Sequence, residues 1–135
     1  RARRAEPKTV TATVDGTTAI TQTAAVTVVA GAVSASQSTV SASPTTITAA
    51  SGTSTITVTA KDANGNPIAG ATVILAATGT GNTLTQPVGT TNASGVATGT
   101  LSSTLAESKT VSATINSVAI TFISLNETMG IWLKE

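Results

Sequence analysis

The sequence contains no histidine, cysteine or tyrosine, and it has a single phenylalanine and a single tryptophan. Without cysteine there are no disulfides, so any fold must be held together by its own sheets and core. Nucleophilic catalysis needs a base beside the nucleophile, most often histidine, so the absence of histidine argues against an enzyme. Binding of single-stranded nucleic acid by stacking needs aromatic side chains, and these are nearly absent.

Charge is also scarce, because 10% of the residues are charged and the net charge is +1. This balance is unlike that of proteins that bind nucleic acid or a charged membrane surface. Arg1, Arg3 and Arg4 crowd one end, and we interpret them as a solvated terminus. No run of about 18 apolar residues exists, so we expect no membrane insertion by this segment. The chain starts without methionine or the apolar core of a signal peptide, and we expect it to be a piece of a longer protein.

Threonine, serine, alanine, valine and glycine are abundant, and this composition favours strands and turns over long helices. Apolar and polar residues alternate in 53–60 and in 109–115, as in strands with one face on a core and one in water. Turn signals at 62–67 and 92–95 separate such runs, which predicts a β-sandwich or a barrel. The predicted strands are 38–49, 53–61, 71–77, 83–90, 95–103, 109–115 and 118–124.

The inward positions of these strands carry the predicted core. Val111, Ala113 and Ile115 share one face, and the alternation resumes in 118–122 after a turn at Asn116 and Ser117. The predicted core residues are Val40, Ile47, Ile56, Val58, Val73, Leu75, Leu84, Val96, Leu101, Val111, Ile115, Ile120 and Phe122.

One segment of the chain is repeated. Residues 8–15 (KTVTATVD) match 109–116 (KTVSATIN), and after a one-residue gap Ala19-Ile20-Thr21 matches Ala119-Ile120-Thr121. The spacing is about the length of one sandwich domain. The sequence therefore predicts that 1–30 contains the closing hairpin of a preceding repeat, that 31–125 is a complete domain, and that 126–135 is a non-domain tail. Because a lone hairpin is marginal in water, we expect it to be poorly ordered, packed on the complete domain or paired with another chain.

Three motifs resemble the bacterial immunoglobulin-like repeats of the invasin and intimin adhesins. They are 43–49 (SPTTITA), 54–73 (STITVTAKDANGNPIAGATV) and 91–101 (TNASGVATGTL), in the order in which that family has them. Asn92 stands where the family commonly has aspartate, and asparagine serves the same turn chemistry. The resemblance spans about residues 34–122 and implies an immunoglobulin-like Greek-key β-sandwich.

The resemblance also implies a function. It indicates a structural spacer repeat of a bacterial cell-surface adhesin, which presents a distal binding domain and has neighbouring Ig-like repeats in the same polypeptide as its partners. It places the protein at the bacterial cell surface or outer membrane, or among secreted proteins. The alternatives are a ligand-binding module for a host receptor or a glycan, and a decoration domain of a phage virion or a secreted enzyme, since the fold alone does not separate them.

The strongest candidate for a metal site is the segment 62–66. Asp62, Asn64 and Asn66 place oxygen-bearing side chains at positions one, three and five, as at the start of a calcium loop. Pro67 then stands where the loop glycine belongs, and Val73 where the bidentate glutamate belongs. We therefore interpret this segment as a hydrogen-bonded turn and predict no metal ligands.

The sequence also shows no combination of residues typical of a catalytic site. Lys61 and Lys109 lie in or beside predicted strands without a serine partner motif. We predict no catalytic residues, no cofactor and no enzyme activity. The acids all fall at predicted turns or ends, and they are Glu6, Asp15, Asp62, Glu107, Glu127 and Glu135.

Two further features are treated as incidental. The acceptor sequences at Asn92 and Asn126 matter only in a secretory pathway that glycosylates them. Residues 126–135 do not fit the repeat pattern, and Met129, Ile131, Trp132 and Leu133 form an apolar cluster there. We interpret this cluster as part of the non-domain tail.

Overall fold

A computed structural model describes residues 3–128 of the chain, together with the side chains of residues 3–120. Short polar turns separate strands in which polar and apolar residues alternate, and the described residues form strands without helices. The strands are β1 Pro7–Val10, β2 Thr13–Val14, β3 Thr18–Ala19, β4 Ala24–Thr27, β5 Thr39–Ser43, β6 Thr46–Thr48, β7 Ser54–Thr59, β8 Val73–Ala77, β9 Asn82–Thr85, β10 Val96–Ser103, β11 Ser108–Ile115 and β12 Val118–Thr128.

Strands β5 to β12 form two four-stranded sheets. One has the order β5-β7-β10-β9 and is antiparallel throughout, and the other has the order β6-β12-β11-β8. In the second sheet β6 runs parallel to β12, while the other pairs are antiparallel. From β5 onward the chain crosses from one sheet to the other at every connection except β9–β10 and β11–β12, as in a Greek-key sandwich. The predicted all-β sandwich is confirmed.

The first predicted strand, 38–49, is wrong as a single element. It is divided at Pro44 into β5, which pairs with β7, and β6, which pairs with β12. Proline has no backbone N–H to continue a ladder, and it therefore marks the point where the strand changes sheets. Val40 and Ile47 still lie in the common core, because each faces the space between the two sheets from its own side.

The predicted strand 83–90 is also too long, since β9 ends at Thr85. The side chain of the next residue, Gln86, forms hydrogen bonds with a strand of the other sheet in place of backbone pairing within its own sheet. Its Oε1 accepts a hydrogen bond from Leu75 N at 2.7 Å, and its Nε2 donates to Leu75 O at 2.8 Å. Pro87 follows and has no N–H for further pairing. A glutamine side chain thus joins the edge of β8 to the other sheet.

The core lies between the two sheets and follows the predicted alternation with one change of face. Ala97 is buried where Val96 was predicted to be, because the inward positions of β10 are 97, 99, 101 and 103. Leu84 is half-buried against the core, and the side chain of Phe122 lies outside the described ones. The buried apolar residues are Val40, Ile47, Ile56, Val58, Ala60, Ala71, Val73, Leu75, Ala97, Leu101, Val111, Ala113, Ile115 and Ile120.

Strands β11 and β12 form the closing hairpin of the sandwich. Its turn lies where it was predicted, at Asn116 and Ser117, whose φ angles of 47° and 73° fit a tight turn between twisted strands. Strand β12 continues past the predicted domain end, because 126–128 pair in parallel with β6. The boundary at 125 is therefore too early by these three residues, and the remainder of the predicted tail, with its apolar cluster, lies outside the described residues.

Gly95 offers a direct test of the third family motif, 91–101. Its φ is 76°, and a Cβ placed there would lie 2.5 Å from Ala60 O. We expect Gly95→Ala to lower the free energy of unfolding by about 2 kcal/mol, through strained φ and this collision together. Gly89 is the matched control, because its φ is 77° and nothing lies within 4 Å of a Cβ there. Urea unfolding should give a loss of about 1 kcal/mol for Gly89→Ala, and equal losses would contradict the steric account.

Candidate functional site

The N-terminal hairpin is ordered as two short antiparallel pairs. β1 pairs with β4, and β2 pairs with β3. Its valines are exposed rather than buried, with Val10 at 53%, Val14 at 49% and Val26 at 48%. Its base is hydrogen-bonded to the complete domain, while its strands leave these valines exposed. The candidate site is this point of attachment.

The 62–66 turn supplies the complete domain's side of the attachment. Oδ1 of Asp62 accepts hydrogen bonds from the backbone N–H groups of Asn64 and Asn66, both at 2.9 Å. Asp62 N in turn donates to Asn66 O at 3.0 Å, which closes the loop. Asp62 and Asn66 are buried, although they lie in a turn. The hydrogen-bonded turn predicted from the sequence is confirmed.

The side chain of Asn66 extends from this turn to the base of the N-terminal hairpin. Its Oδ1 accepts a hydrogen bond from Ala5 N at 2.9 Å, and its Nδ2 donates to Arg3 O at 2.6 Å. The same Nδ2 donates to Oδ2 of Asp62 at 2.9 Å, which fixes the orientation of the amide. One side chain therefore holds a segment more than 60 residues away in sequence by both of its polar atoms.

The linker between hairpin and domain is bonded to the same turn. Gly31 N donates to Oδ2 of Asp62 at 2.9 Å, and Ser34 N donates to Lys61 O at 2.8 Å. Val33 forms a β-bridge with Asp62 between these two bonds. We call the set of Arg3, Ala5, Gly31, Asp62 and Asn66 the joint. Both the hairpin and the linker are thus bonded to one turn of the sandwich.

The charge of Asp62 is stabilised by these contacts. Burial by itself raises the pKa of the carboxyl, but the hydrogen bonds from Gly31, Asn66 and Asn64 outweigh it and lower the pKa from 3.8 to about 2. Four N–H donors occupy the two carboxylate oxygens. These donors take the lone pairs that a cation would need. The chemistry of the turn is therefore that of a hydrogen-bonded anchor.

A second buried polar group lies at the start of β11. The side chain of Lys109 is fully buried, and its Nζ donates to Thr80 O at 2.9 Å and to Oε1 of Glu107 at 2.5 Å. Oε1 of Glu107 also accepts from Thr80 N at 3.0 Å. The hydrogen bonds from Lys109 and Thr80 hold the pKa of Glu107 below its usual value. Sequence analysis placed Lys109 on a strand but did not predict its burial.

The other candidate residues are not brought together. Lys61 contributes its backbone to the linker contact, and Asp15 is exposed in the hairpin turn. Glu6 forms an ion pair with Lys8, and the side chain of Glu127 is outside the described ones. Across residues 3–120, whose side chains are described, no group of three or more acidic, histidine or cysteine residues could hold a metal ion. The described part of the chain also has no helix of sufficient length and hydropathy to cross a membrane.

Sequence comparison identifies the family. Residues 37–123 match the sequence profile of the bacterial Ig-like domain (group 1), and the chain belongs to this family. It is homologous to the Ig-like domains of adhesins of the invasin and intimin type, as the three motifs predicted. No curated protein sequence shows significant similarity to the chain.

Solved structures of adhesins are similar over most of the chain. FdeC, an Escherichia coli adhesin, is 30% identical with a TM-score of 0.74, and the match covers 93% of this chain and 41% of that one. Invasin, a bacterial integrin-binding protein, is 30% identical with a TM-score of 0.67, covering 93% and 25%. The adhesin InvE of Yersinia pseudotuberculosis is 33% identical with a TM-score of 0.64, covering 73% and 28%. The chain thus spans less than half the length of each of these relatives.

Proposed function

We propose that this chain is a structural spacer segment of a bacterial cell-surface adhesin, without enzyme activity, in which a complete Ig-like repeat is held at a restrained angle to the repeat before it. The observation that carries the proposal is the joint, where one turn bonds both the linker and the base of the preceding hairpin. A spacer transmits distance only if consecutive repeats do not swivel freely, which domains in one chain otherwise do by default. The bonds of the joint to the hairpin and to the linker oppose that motion. The distal binding domain, which contacts the receptor, belongs to another part of the adhesin.

The N-terminal hairpin is, on this proposal, the closing hairpin of the preceding repeat. Directly opposite residues of an antiparallel pair lie on the same face, so Lys8, Val10 and Val26 share one face of β1 and β4. The residues that match the first two are Lys109 and Val111, and both are fully buried in the complete domain. The hairpin thus has the inward face of a sandwich, and among the described residues nothing covers it.

The similarity to FdeC supports the same interpretation. The family profile begins at residue 37, whereas the FdeC match covers 93% of the chain and leaves 7% uncovered. That uncovered share is smaller than the hairpin, so part of the hairpin lies within the structural match. This overlap supports the proposal that the hairpin and the complete domain belong to consecutive repeats.

Removing the amide of Asn66 tests whether the joint restrains the hairpin. In the whole chain, 15N relaxation should show the amides of 6–27 tumbling together with those of the sandwich. We expect Asn66→Ala to lower the order parameters of the hairpin from about 0.8 to below about 0.6, because two of its bonds to the domain are lost. Asn64→Ala is the matched control, since Asn64 lies in the same turn and bonds Asp62 through its backbone.

Two results would argue against the proposal. If the hairpin moved independently in the unmodified chain, or if both variants left its motion unchanged, the joint would not restrain it. Specific, saturable binding of the chain to a glycan array or to host cells would assign it instead to the ligand-binding modules.

A further inference from the structure

The hairpin and the complete domain share more than the strands. Aligned at the spacing of the strand match, residues 3–15 and 104–116 are identical at seven of thirteen positions, including Ala5 and Ala106. Each segment has a glutamate–lysine ion pair two residues apart, Glu6 with Lys8 and Glu107 with Lys109. The short loop before β1 is therefore the counterpart of the loop 104–106 before β11.

The ladders that follow these loops are irregular at matching places. In the complete domain, the register of β11 and β12 shifts between Val111 and Ala113. In the hairpin, the counterpart stretch lies between Val10, the last residue of β1, and Thr13, the first of β2, and the pairing changes register there. Both ladders are thus interrupted at the same place, by a shift of one residue in the complete domain and of two residues in the hairpin.

The two loops differ in what their backbones bind. Arg3 O and Ala5 N are bonded to the side-chain amide of Asn66. The counterparts of these two groups are Thr104 O and Ala106 N, and within residues 3–128 neither has a hydrogen-bond partner. Thr104 and its neighbour Leu105 are exposed. The complete domain therefore presents, at one end, the same donor and acceptor that the hairpin presents to Asn66.

The side chains around the loop 104–106 are also compatible with the binding of a 62–66 turn. Arg3 and Arg4 line a surface cleft together with residues 64–67 of the turn. Their counterparts, Thr104 and Leu105, offer a hydroxyl and an apolar side chain that is 46% exposed. Neither counterpart carries a negative charge that would repel the carboxylate of Asp62, and the neighbouring Glu107 is paired with Lys109.

We propose that the loop 104–106 is the docking surface for a second Ig-like copy, which binds it with its own 62–66 turn. The amide of that copy's Asn66 accepts from Ala106 N and donates to Thr104 O, as the joint does with Ala5 and Arg3. This inference rests on the proposed spacer function, and it adds which surface of one repeat meets which turn of the next. Each repeat then carries one half of the joint at each end.

A tandem protein tests the docking directly. It consists of residues 1–126 followed by a second copy of residues 28–128. Asn126 pairs with Ser108 as Thr27 pairs with Pro7, so the linker 28–36 leaves the first copy at the register it has in the chain. We expect amide hydrogen exchange at Ala106 of the first copy to be at least about tenfold slower than in the single chain. Ala106 of the second copy has no following repeat and serves as the internal control, distinguished by segmental labelling.

Single substitutions then assign the protection to the joint. Asn66→Ala in the second copy should return the exchange of the first copy's Ala106 to the rate in the single chain. The same substitution in the first copy should instead speed exchange at Ala5, and Asn64→Ala in the second copy should change neither. Unchanged amide spectra of both sandwiches show that each variant is folded.

The outcomes separate this inference from the spacer proposal. If Ala106 exchanges equally fast in the tandem and in the single chain, the docking surface is overturned. That result would leave the restraint of the N-terminal hairpin by Asn66 untouched, because the relaxation measurement tests it separately and does not involve Ala106. Protection of Ala106 that survives Asn66→Ala in the second copy would also overturn the inference, because another contact would then cause it.

Discussion

Replacing Lys109 by alanine is expected to lower the free energy of unfolding by about 3–4 kcal/mol, a core-sized effect from a charged residue. The side chain is fully buried, and its ammonium is held by Thr80 O and by Glu107. Alanine removes the buried stem and leaves a cavity, and it also takes the donor away from Thr80 O. Urea unfolding followed by circular dichroism measures the loss.

The chain carries its own control for this variant. Lys8 holds the matching position in the N-terminal hairpin and also pairs with a glutamate, but its side chain is 36% exposed. Exposed ion pairs contribute little, so we expect Lys8→Ala to change stability by less than about 0.5 kcal/mol. Equal losses for the two alanine variants would show that burial of Lys109 is not what stabilises the loop 78–81.

A methionine at position 109 separates packing from charge. Methionine keeps most of the stem volume but cannot donate to Thr80 O, so we expect Lys109→Met to cost about 1–2 kcal/mol. A loss as large as that of Lys109→Ala would mean that the ion pair and its hydrogen bonds carry the whole effect. A loss near zero would mean that filling the space is sufficient.

The β-sandwich could be predicted because its strands and turns are determined by residues close together in the sequence. In β7 and β11 the side-chain period of a strand fixes which residues face inward, so Ile56, Val58, Val111 and Ile115 could be assigned to the core before any pairing was known. Turn chemistry is local as well, and Asp62 bonds the backbone within four residues, as expected. The predicted strand boundaries were wrong at Pro44 and after Thr85. At both places the backbone pairing within a sheet stops, and the local sequence pattern did not predict where it would stop.

The joint was not predictable in the same way. Asn66 was interpreted as a turn residue, and nothing in its neighbourhood indicates that its amide bonds Arg3 and Ala5. Burial of Lys109 likewise depends on the loop 78–81 closing over it from another strand. Both depend on how segments distant in sequence pack, and one signal was available. The repeated glutamate–lysine pair, at 6 and 8 and again at 107 and 109, marks the same place in two copies.

The joint also explains why the turn has this composition. A spacer gains stiffness when the linker has few free torsions, and here Gly31 and Ser34 are bonded on either side of the bridge at Val33. A carboxylate can accept four N–H groups, two at each oxygen, whereas the amide of an asparagine accepts only two. Asp62 is therefore the residue on which turn and linker depend together.

Replacing Asp62 by alanine should consequently destabilise the protein by about 3 kcal/mol at pH 7, because four N–H donors lose a charged acceptor. The unmodified protein should also lose stability in acid. The pKa of Asp62 is lowered from 3.8 to about 2 in the folded state, so the unfolded chain takes up the proton first as the pH falls. The contribution, at most about 2 kcal/mol, is present above about pH 4 and is lost as the pH falls through 2.

Urea unfolding between pH 7 and pH 2 checks this dependence against two variants. Asp62→Asn keeps the shape of the side chain but has no proton to gain, so its stability should be lower at pH 7 and should converge on that of the unmodified protein near pH 2. Asp15→Asn replaces an exposed aspartate in the hairpin turn and should keep the acid-dependent decline of the unmodified chain. Glu107 adds its own decline in acid to every variant, so the difference between the curves isolates Asp62. Parallel curves for the unmodified chain and Asp62→Asn would mean that the carboxylate does not anchor the joint.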